Sequence, residues 1–322
     1  MIELKNVSKF YKTVKAVNDV SFNVEEGQTV ILLGTSGCGK TTTLRMVNRL
    51  VEPTEGTIFV NGKNIQAQQE QELRRGIGYV LQHTGLFPHY TIAENIAIVP
   101  RLMQWNEQKI TERTRELLEK LQLDPDKYFH LYPDQLSGGQ QQRIGLARAL
   151  AANPPVLLMD EPFGALDPVT RAGIRKEFMN LDELKRKTIL MVTHDVQEAF
   201  EMADIICLMD KGNLVQMGKP TELLFNPAND FVKNFFSDQR FLLGLQSITL
   251  NDVWHNLKEA PANEKAYAVD PASNLLEVLE MLSSNNSSIT NYVAQNGKGS
   301  KSVTLPVILS AFSAYKTMEG HG

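Results

Sequence analysis

Cysteine is scarce in this sequence: only Cys38 and Cys207 occur in 322 residues. They lie far apart and without metal-ligand spacing, which excludes a disulfide framework and a cysteine-based zinc site. Long apolar runs are also missing. Stretches such as Val30 to Leu33 and Val156 to Met159 fall far short of the roughly 20 residues that cross a bilayer, so the chain is not expected to span a membrane by itself. Met1 to Lys12 mixes Glu3, Lys5, Lys9 and Lys12 with isolated apolar residues. A secretory signal needs a continuous apolar segment, so a cytoplasmic location is expected. Basic charge is not in excess either, with 33 Lys and Arg against 37 Asp and Glu and a net charge of −4. That argues against nucleic acid as a general partner.

What remains is a folded composition, 42% hydrophobic and 22% charged, which excludes disorder as the main state. The length suits one large domain and one small one. Residues 1 to 62 read as strands broken by turns, with Val17, Val20, Phe22 and Val24 before Gly27 and then the buried-looking run Val30 to Leu33. A glycine-rich loop follows, then a helix predicted over Thr42 to Leu50 and a hairpin strand at Thr57 to Val60 turning at Asn61-Gly62. A helical insertion is expected over about 88–150, from the apolar spacing of Ile92, Ile96 and Val99 and of Leu117, Leu118 and Leu121. Strands resume at Val156 to Met159, Thr188 to Val192 and Ile205 to Met209, each alternating with a helix. This order predicts an α/β class with a largely parallel sheet and ligands at the carboxyl ends of its strands.

Composition shifts near residue 240, which places a domain boundary between 1–240 and 241–322. The tail carries a polar tract from Ser283 to Ser288 and a turn from Asn296 to Lys301. Its predicted order is strand 265–269, helix 274–283, strand 289–294, short strand 302–304 and helix 306–315, without a second copy of the pattern.

Three motifs carry chemistry. Gly34, Thr35, Ser36, Gly37, Cys38, Gly39, Lys40 and Thr41 fit the P-loop pattern after a strand and before a helix, the context that the pattern requires. The glycines let successive N–H groups face phosphates, and the helix start adds partial positive charge there. Lys40 would neutralise phosphate oxygens, Thr41 would ligate Mg²⁺, and Thr42 belongs to the same first turn. The strand Val156 to Met159 ends in Asp160 and Glu161. Asp160 would hold Mg²⁺ through water and Glu161 would activate the attacking water.

Leu136, Ser137, Gly138, Gly139 and Gln140 form the third motif. Ser137 and Gln140 have capping-box spacing, so a plain helix start accounts for the serine. It leaves the glycines unexplained, since two of them in a first helical turn cost roughly 1 kcal/mol each relative to alanine. Bare N–H groups at a helix start would make a second phosphate cradle. Two anion sites then lie far apart in one chain.

These motifs, in this order, resemble the nucleotide-binding domain of ABC transporters over about residues 1–237. The resemblance implies that the LSGGQ segment of one protomer closes on the ATP held by the P-loop of another, giving a two-fold dimer with Mg²⁺ and ATP at its interface. It also implies further site residues. Tyr11 resembles the aromatic that stacks on adenine, although packing alone also explains a strand tyrosine. Gln82 resembles the Q-loop glutamine that links Mg²⁺ and water to the permease-facing region. Gly164 to Asp167 resembles the D-loop, with Gly164 where serine is usual. His194 resembles the switch histidine that contacts the γ-phosphate. Cys38 reads as a small residue tolerated inside its loop.

The segment from Gly85 to Ile96 resembles importers of quaternary amines such as glycine betaine, carnitine and choline; amino acids or other small polar cargos stay open. A separate transmembrane permease, a second copy of the chain and a substrate-binding protein or domain are the partners implied, with the chain peripheral on the cytoplasmic face of the membrane. The tail resembles a CBS module of α+β type, a regulatory unit that binds adenine nucleotides, senses ionic conditions or only dimerises. A soluble ABC ATPase acting on ribosomes or DNA is the competing class; it typically has two cassettes or a long coiled-coil insertion, and neither is visible. A plain P-loop kinase or GTPase leaves LSGGQ unexplained.

Overall fold

Strands dominate the stretch from Ile2 to Val80. A computed structural model of the protein, in which residues 1–82, 84–260, 267–284, 292–296 and 299–319 are described, divides into two compact units, Met1–Val215 and Gln216–Gly322. The first unit holds β1 (Ile2–Tyr11), β2 (Val14–Val24), β3 (Thr29–Gly34), β4 (Glu55–Val60), β5 (Lys63–Asn64), β6 (Ile77–Val80), β7 (Val156–Asp160), β8 (Thr188–Val192) and β9 (Ile205–Asp210); β10 (Asn213–Gly218) straddles the division.

Two sheets result. β2, β1, β4 and β5 form one, antiparallel throughout. The second has the order β10-β9-β3-β8-β7-β6, with parallel pairing from β9 to β6. β7 and β8 are buried at every residue, which explains why they read as continuous apolar runs: both faces of a parallel sheet are covered. In β2, Val17, Val20, Phe22 and Val24 are all buried although the step from Val17 to Val20 breaks strict alternation. A register shift there, with Asp19 at φ 50°, restores the phase.

The helix after the glycine-rich loop runs over Lys40–Val47 and so ends earlier than the predicted Leu50. Arg49 adopts φ 49° and its guanidinium donates to Glu52 and to the carbonyls of Ile65 and Gln68. That network turns the chain out of the helix and leaves Leu50 half exposed. The expected helical region is present as Ile92–Leu102, Glu107–Lys120, Pro125–Tyr128 and Gly138–Leu150. The first of these opens on a capping box between Thr91 and Glu94.

The units part at Val215 and Gln216, not near residue 240 where composition shifts. The reason is packing within the C-terminal unit. A Cβ on Gly244, in helix Arg240–Ser247, would sit 3.0 Å from Phe312 and 3.4 Å from Phe225, so the segments on both sides of residue 240 share one core. Beyond it lie β11 (Tyr267–Val269), helix Leu275–Ser284, β12 (Tyr292–Asn296), β13 (Gly299–Val303) and helix Leu305–Glu319. β11 and β12 pair in parallel and β12 and β13 antiparallel. This is the order expected from the sequence. Residues 265–266 and 289–291 of the expected strands, 285–288 of the polar tract and 297–298 of the turn lie outside the described residues. Among the described residues no helix is long and apolar enough to cross a membrane.

Candidate functional site

Adjacent parallel strands deliver their loops to one edge of a sheet, and β3, β8, β7 and β6 are adjacent in that order. The glycine-rich loop follows β3, Thr193 and His194 follow β8, Asp160 and Glu161 end β7, and Gln82 lies just past β6. Four distant stretches of sequence thus meet because their strands are neighbours.

The loop needs its glycines. Gly34 has φ 149°, and a Cβ there would lie 2.2 Å from the carbonyl oxygen of Met209. Gly39 has φ 104°, and its Cβ would lie 2.4 Å from the carbonyl oxygen of Ala16. Both obstacles are backbone and cannot swing away. Thr35, Ser36 and Gly37 are exposed on the loop and Cys38 is buried under it. Burial pushes the Cys38 thiol up, against the opposing charge of Lys40. Lys40, itself buried, donates to the carbonyls of Gly34 at 2.7 Å and Thr35 at 2.9 Å. The loop therefore wraps around an ammonium. Thr42 is half-buried on the same first turn.

Thr41 Oγ1 donates to Asp160 Oδ1 at 2.9 Å, and Arg45 reaches the other oxygen at 3.6 Å. Burial raises the Asp160 carboxyl above its ordinary range, while the Thr41 hydroxyl and Arg45 oppose that shift. Next to it, Glu161 has φ 45°, a left-handed backbone that is unusual for glutamate and marks a constrained position. Gln82 Nε2 donates to Glu161 Oε2 at 3.1 Å, and His194 Nδ1 lies 3.1 Å from that same oxygen. A Cβ on Gly164 would come within 3.3 Å of it, so a glycine rather than a serine leaves this carboxylate room. A threonine–aspartate pair can hold a divalent cation, and a second carboxylate beside it can accept a proton from water.

Ser137 and Gln140 form the reciprocal capping box, with bonds of 2.9 and 3.4 Å, and Gln140 also donates to Tyr128. None of these bonds reaches the glycine-rich loop. Gly139 has a packing reason: its Cβ would sit 2.9 Å from Ile174 Cδ1. A Cβ on Gly138 would meet nothing within 4 Å. Only Gly138 therefore keeps the unexplained status that the sequence assigned to both glycines. Asp167 caps helix Pro168–Met179 through the N–H of Thr170 at 3.1 Å, and hydrogen bonding from the Thr170 side chain, then from that N–H, holds its carboxyl below the ordinary range. Tyr11 is half exposed at the end of β1, with Lys9 5.2 Å from its ring centroid.

The sequence reading missed several residues that hold these parts together. Arg45 lies one helical turn past Thr41 and so shares its face, a signal that helical spacing contains. Arg148 donates to the carbonyls of Thr84 and Gly85, at 2.7 Å each, just beyond Gln82. Arg171 donates to the carbonyl of Leu166 at 2.9 Å and to Asp195 at 3.4 Å, tying the Gly164–Asp167 turn to the loop after His194. Asn95, fully buried, bonds Phe87, Tyr90 and Thr91 and shapes the segment before helix Ile92–Leu102. No single-residue pattern announces these three.

A family profile described as ABC transporter matches residues 17–164. The glycine betaine/carnitine/choline transport ATP-binding protein OpuCA of Bacillus subtilis (strain 168) is 53% identical over 75% of this chain and 64% of its own length. The glycine betaine uptake system ATP-binding protein YehX of Escherichia coli (strain K12) is 51% identical over 79% of this chain and 81% of its own. This chain belongs to the ABC transporter ATP-binding family. Among solved structures, the dimeric post-hydrolysis state of the ATP-binding cassette MJ0796, bound to ADP and Pi, matches with TM-score 0.61 and 35% identity, covering 68% of this chain and 98% of that one. The ABC ATPase fold is thereby shared. Relatives such as OpuCA are longer than the match, so the chain spans about two thirds of their length. The ATP and Mg²⁺ on which the ABC family works fit this site, because Gly34 and Gly39 stand where side chains would close the loop and Thr41 and Asp160 offer oxygen donors.

Proposed function

We propose that this chain is the ATP-hydrolysing subunit of an importer for a quaternary amine such as glycine betaine, carnitine or choline, seated against a separate transmembrane permease on the cytoplasmic side. The observation that carries the reading is the single Glu161 oxygen gripped by Gln82 and His194 next to the Thr41–Asp160 pair. The names of the relatives OpuCA and YehX support the cargo class.

In this reading the N–H groups of Gly34 to Thr42 and the ammonium of Lys40 bind the phosphates, and Tyr11 stacks on the adenine. Thr41, Asp160 and Gln82 would hold Mg²⁺, which when bound would supply charge neutralisation to the phosphates. Glu161 takes a proton from the attacking water, held in place by Gln82. His194 contacts the γ-phosphate. Ser137, Gly138, Gly139 and Gln140 of a second copy, with Asp167, complete the site from across the dimer. The dimeric MJ0796 cassette supports such pairing. The exposed aromatics Phe87 and Tyr90, in mutual contact with His89, form the permease-facing surface. A substrate-binding protein or domain would deliver the cargo on the far side. The C-terminal unit, with its β-α-β-β-α order, supports a CBS-like regulatory or dimerisation module, and titration with adenine dinucleotides and salt separates those roles.

The test is reconstitution with the permease and its substrate-binding partner. Hydrolysis should rise with a quaternary amine and not with amino acids. Equal stimulation by an amino acid, or stimulation by ribosomes or nucleic acid alone, would overturn the assignment.

A further inference from the structure

His194 reaches Glu161 although 58% of its side chain is exposed, so surrounding packing does not fix its ring. The backbone on either side of it is fixed instead. Thr193, 2% exposed, donates its N–H to the carbonyl of Leu32 on β3 at 3.2 Å. Its hydroxyl donates to Glu198 Oε2 at 2.6 Å and accepts the N–H of Asp195 at 3.0 Å. Asp195 Oδ1 in turn accepts from the N–H groups of Gln197 and Glu198, at 2.9 and 3.2 Å, which starts helix Val196–Met202. A closed ring of hydrogen bonds therefore joins Thr193, Asp195 and Glu198, with His194 between its members.

The side chain of Glu198 is not needed to start that helix, because Asp195 already caps it. Nor does it serve an ion pair. Arg175 donates to Glu201 at 2.9 Å, and Arg171 is engaged with Leu166 and Asp195. A carboxyl that is 2% exposed is costly unless it is hydrogen-bonded, and the Thr193 hydroxyl is the donor that satisfies it. The benefit runs the other way as well. A hydroxyl rotates freely until a partner takes its proton; with Glu198 accepting, the Thr193 oxygen turns a lone pair toward the N–H of Asp195.

We propose that Glu198 is a positioning residue for the hydrolytic site: through Thr193 it holds the backbone on both sides of His194, so that Nδ1 meets Glu161. The inference rests on the reading of Glu161 and His194 as parts of an ATP-hydrolysing site, and adds the element that fixes one against the other.

The test replaces both buried partners by apolar groups of similar shape, Thr193→Val together with Glu198→Leu. Such paired replacement is nearly neutral for stability, so the melting temperature at pH 7 should stay within about 4 °C of wild type. Turnover should fall about 10²-fold, as for His194→Ala. Adding His194→Ala to the pair should then lower it by less than about two-fold, because a group that acts through His194 costs nothing once His194 is gone. A merely structural role would give equal losses in both backgrounds. Glu198→Gln, which keeps an acceptor for Thr193 in the same volume, should recover most of the turnover lost in Glu198→Leu.

A second readout needs no nucleotide. In protein labelled with carbon-13 at histidine Cε1, the His194 signal is assigned by its loss in His194→Ala. Glu161→Gln should shift that signal in the wild-type background and leave it in place in the paired variant. Wild-type protein that hydrolyses no ATP would fail the transport reading alone, and the His194 signal then decides the positioning. Should the pair not fold by circular dichroism, Glu198→Ala takes its place in both measurements. Undiminished turnover in the paired variant, equal losses with and without His194, or a His194 signal that still responds to Glu161→Gln would overturn the proposal.

Discussion

Gln82 and His194 come from loops after different strands and converge on one atom, Oε2 of Glu161, each 3.1 Å away. Both side chains therefore orient the same carboxylate. Removing either should lower turnover about 10²-fold, the scale of general-base catalysis. Removing both should cost little more than removing one, because groups that act through one atom are not additive. Steady-state turnover of Gln82→Ala, His194→Ala and the double variant checks this; losses that multiply would separate the two residues.

Lys40 is predicted to act in binding rather than in the proton step. Charge-assisted hydrogen bonds contribute roughly 1.5–3 kcal/mol each, so Lys40→Ala should weaken ATP affinity by about ten-fold or more. Equilibrium binding with a fluorescent ATP analogue measures it. Unchanged affinity would contradict the assignment of the loop.

Gly34 and Gly138 should behave oppositely. Gly34→Ala drives a Cβ to 2.2 Å from a backbone carbonyl at φ 149° and should destabilise the fold by about 3 kcal/mol or more. Gly138→Ala meets no atom and improves helix propensity by up to about 1 kcal/mol, so the protein should be as stable or more so. Its hydrolysis should nevertheless fall, because the added methyl covers the N–H groups offered to the opposing triphosphate. Melting temperature and turnover moving in the same direction would argue against a phosphate cradle there.

Glu198 predicts a pH effect. It is buried, accepts from Thr193 Oγ1 at 2.6 Å, and its carboxyl is raised above the ordinary 4.5, first by burial and further by Asp195, with the Thr193 bond, Arg175 and Arg171 opposing. The folded protein keeps this proton where the unfolded chain has lost it. Its stabilising contribution is thus full below pH 4.5 and lost as pH rises through the raised value. Glu198→Gln should flatten the decline in melting temperature over that window. A parallel pH profile would show that Glu198 is not its source.

Much of this was readable in advance. The glycine-rich loop and the acidic end of β7 stood out because buried parallel strands are continuous apolar runs that stop at polar residues. Gln82 and His194 were named through family resemblance, and their convergence on one oxygen needed the strand order, which no linear spacing encodes. Arg148 and Arg171 were not legible, since their partners are backbone carbonyls whose positions follow from tertiary packing. The boundary near residue 240 tracked composition, whereas the packing of Phe225, Gly244 and Phe312 set it near residue 215. The glycines of LSGGQ were read as one signal, and the structure separates them into a packing glycine and an open one.

The central claim is that ATP joins two copies of this chain, with the loop of one and Gly138 of the other on the same triphosphate. Light scattering on purified Glu161→Gln with Mg²⁺ and ATP tests it most directly. A dimer that forms only with ATP, and that the added Gly138→Ala change abolishes, is the predicted result; a monomer at saturating ATP, or a dimer indifferent to Gly138, would contradict it.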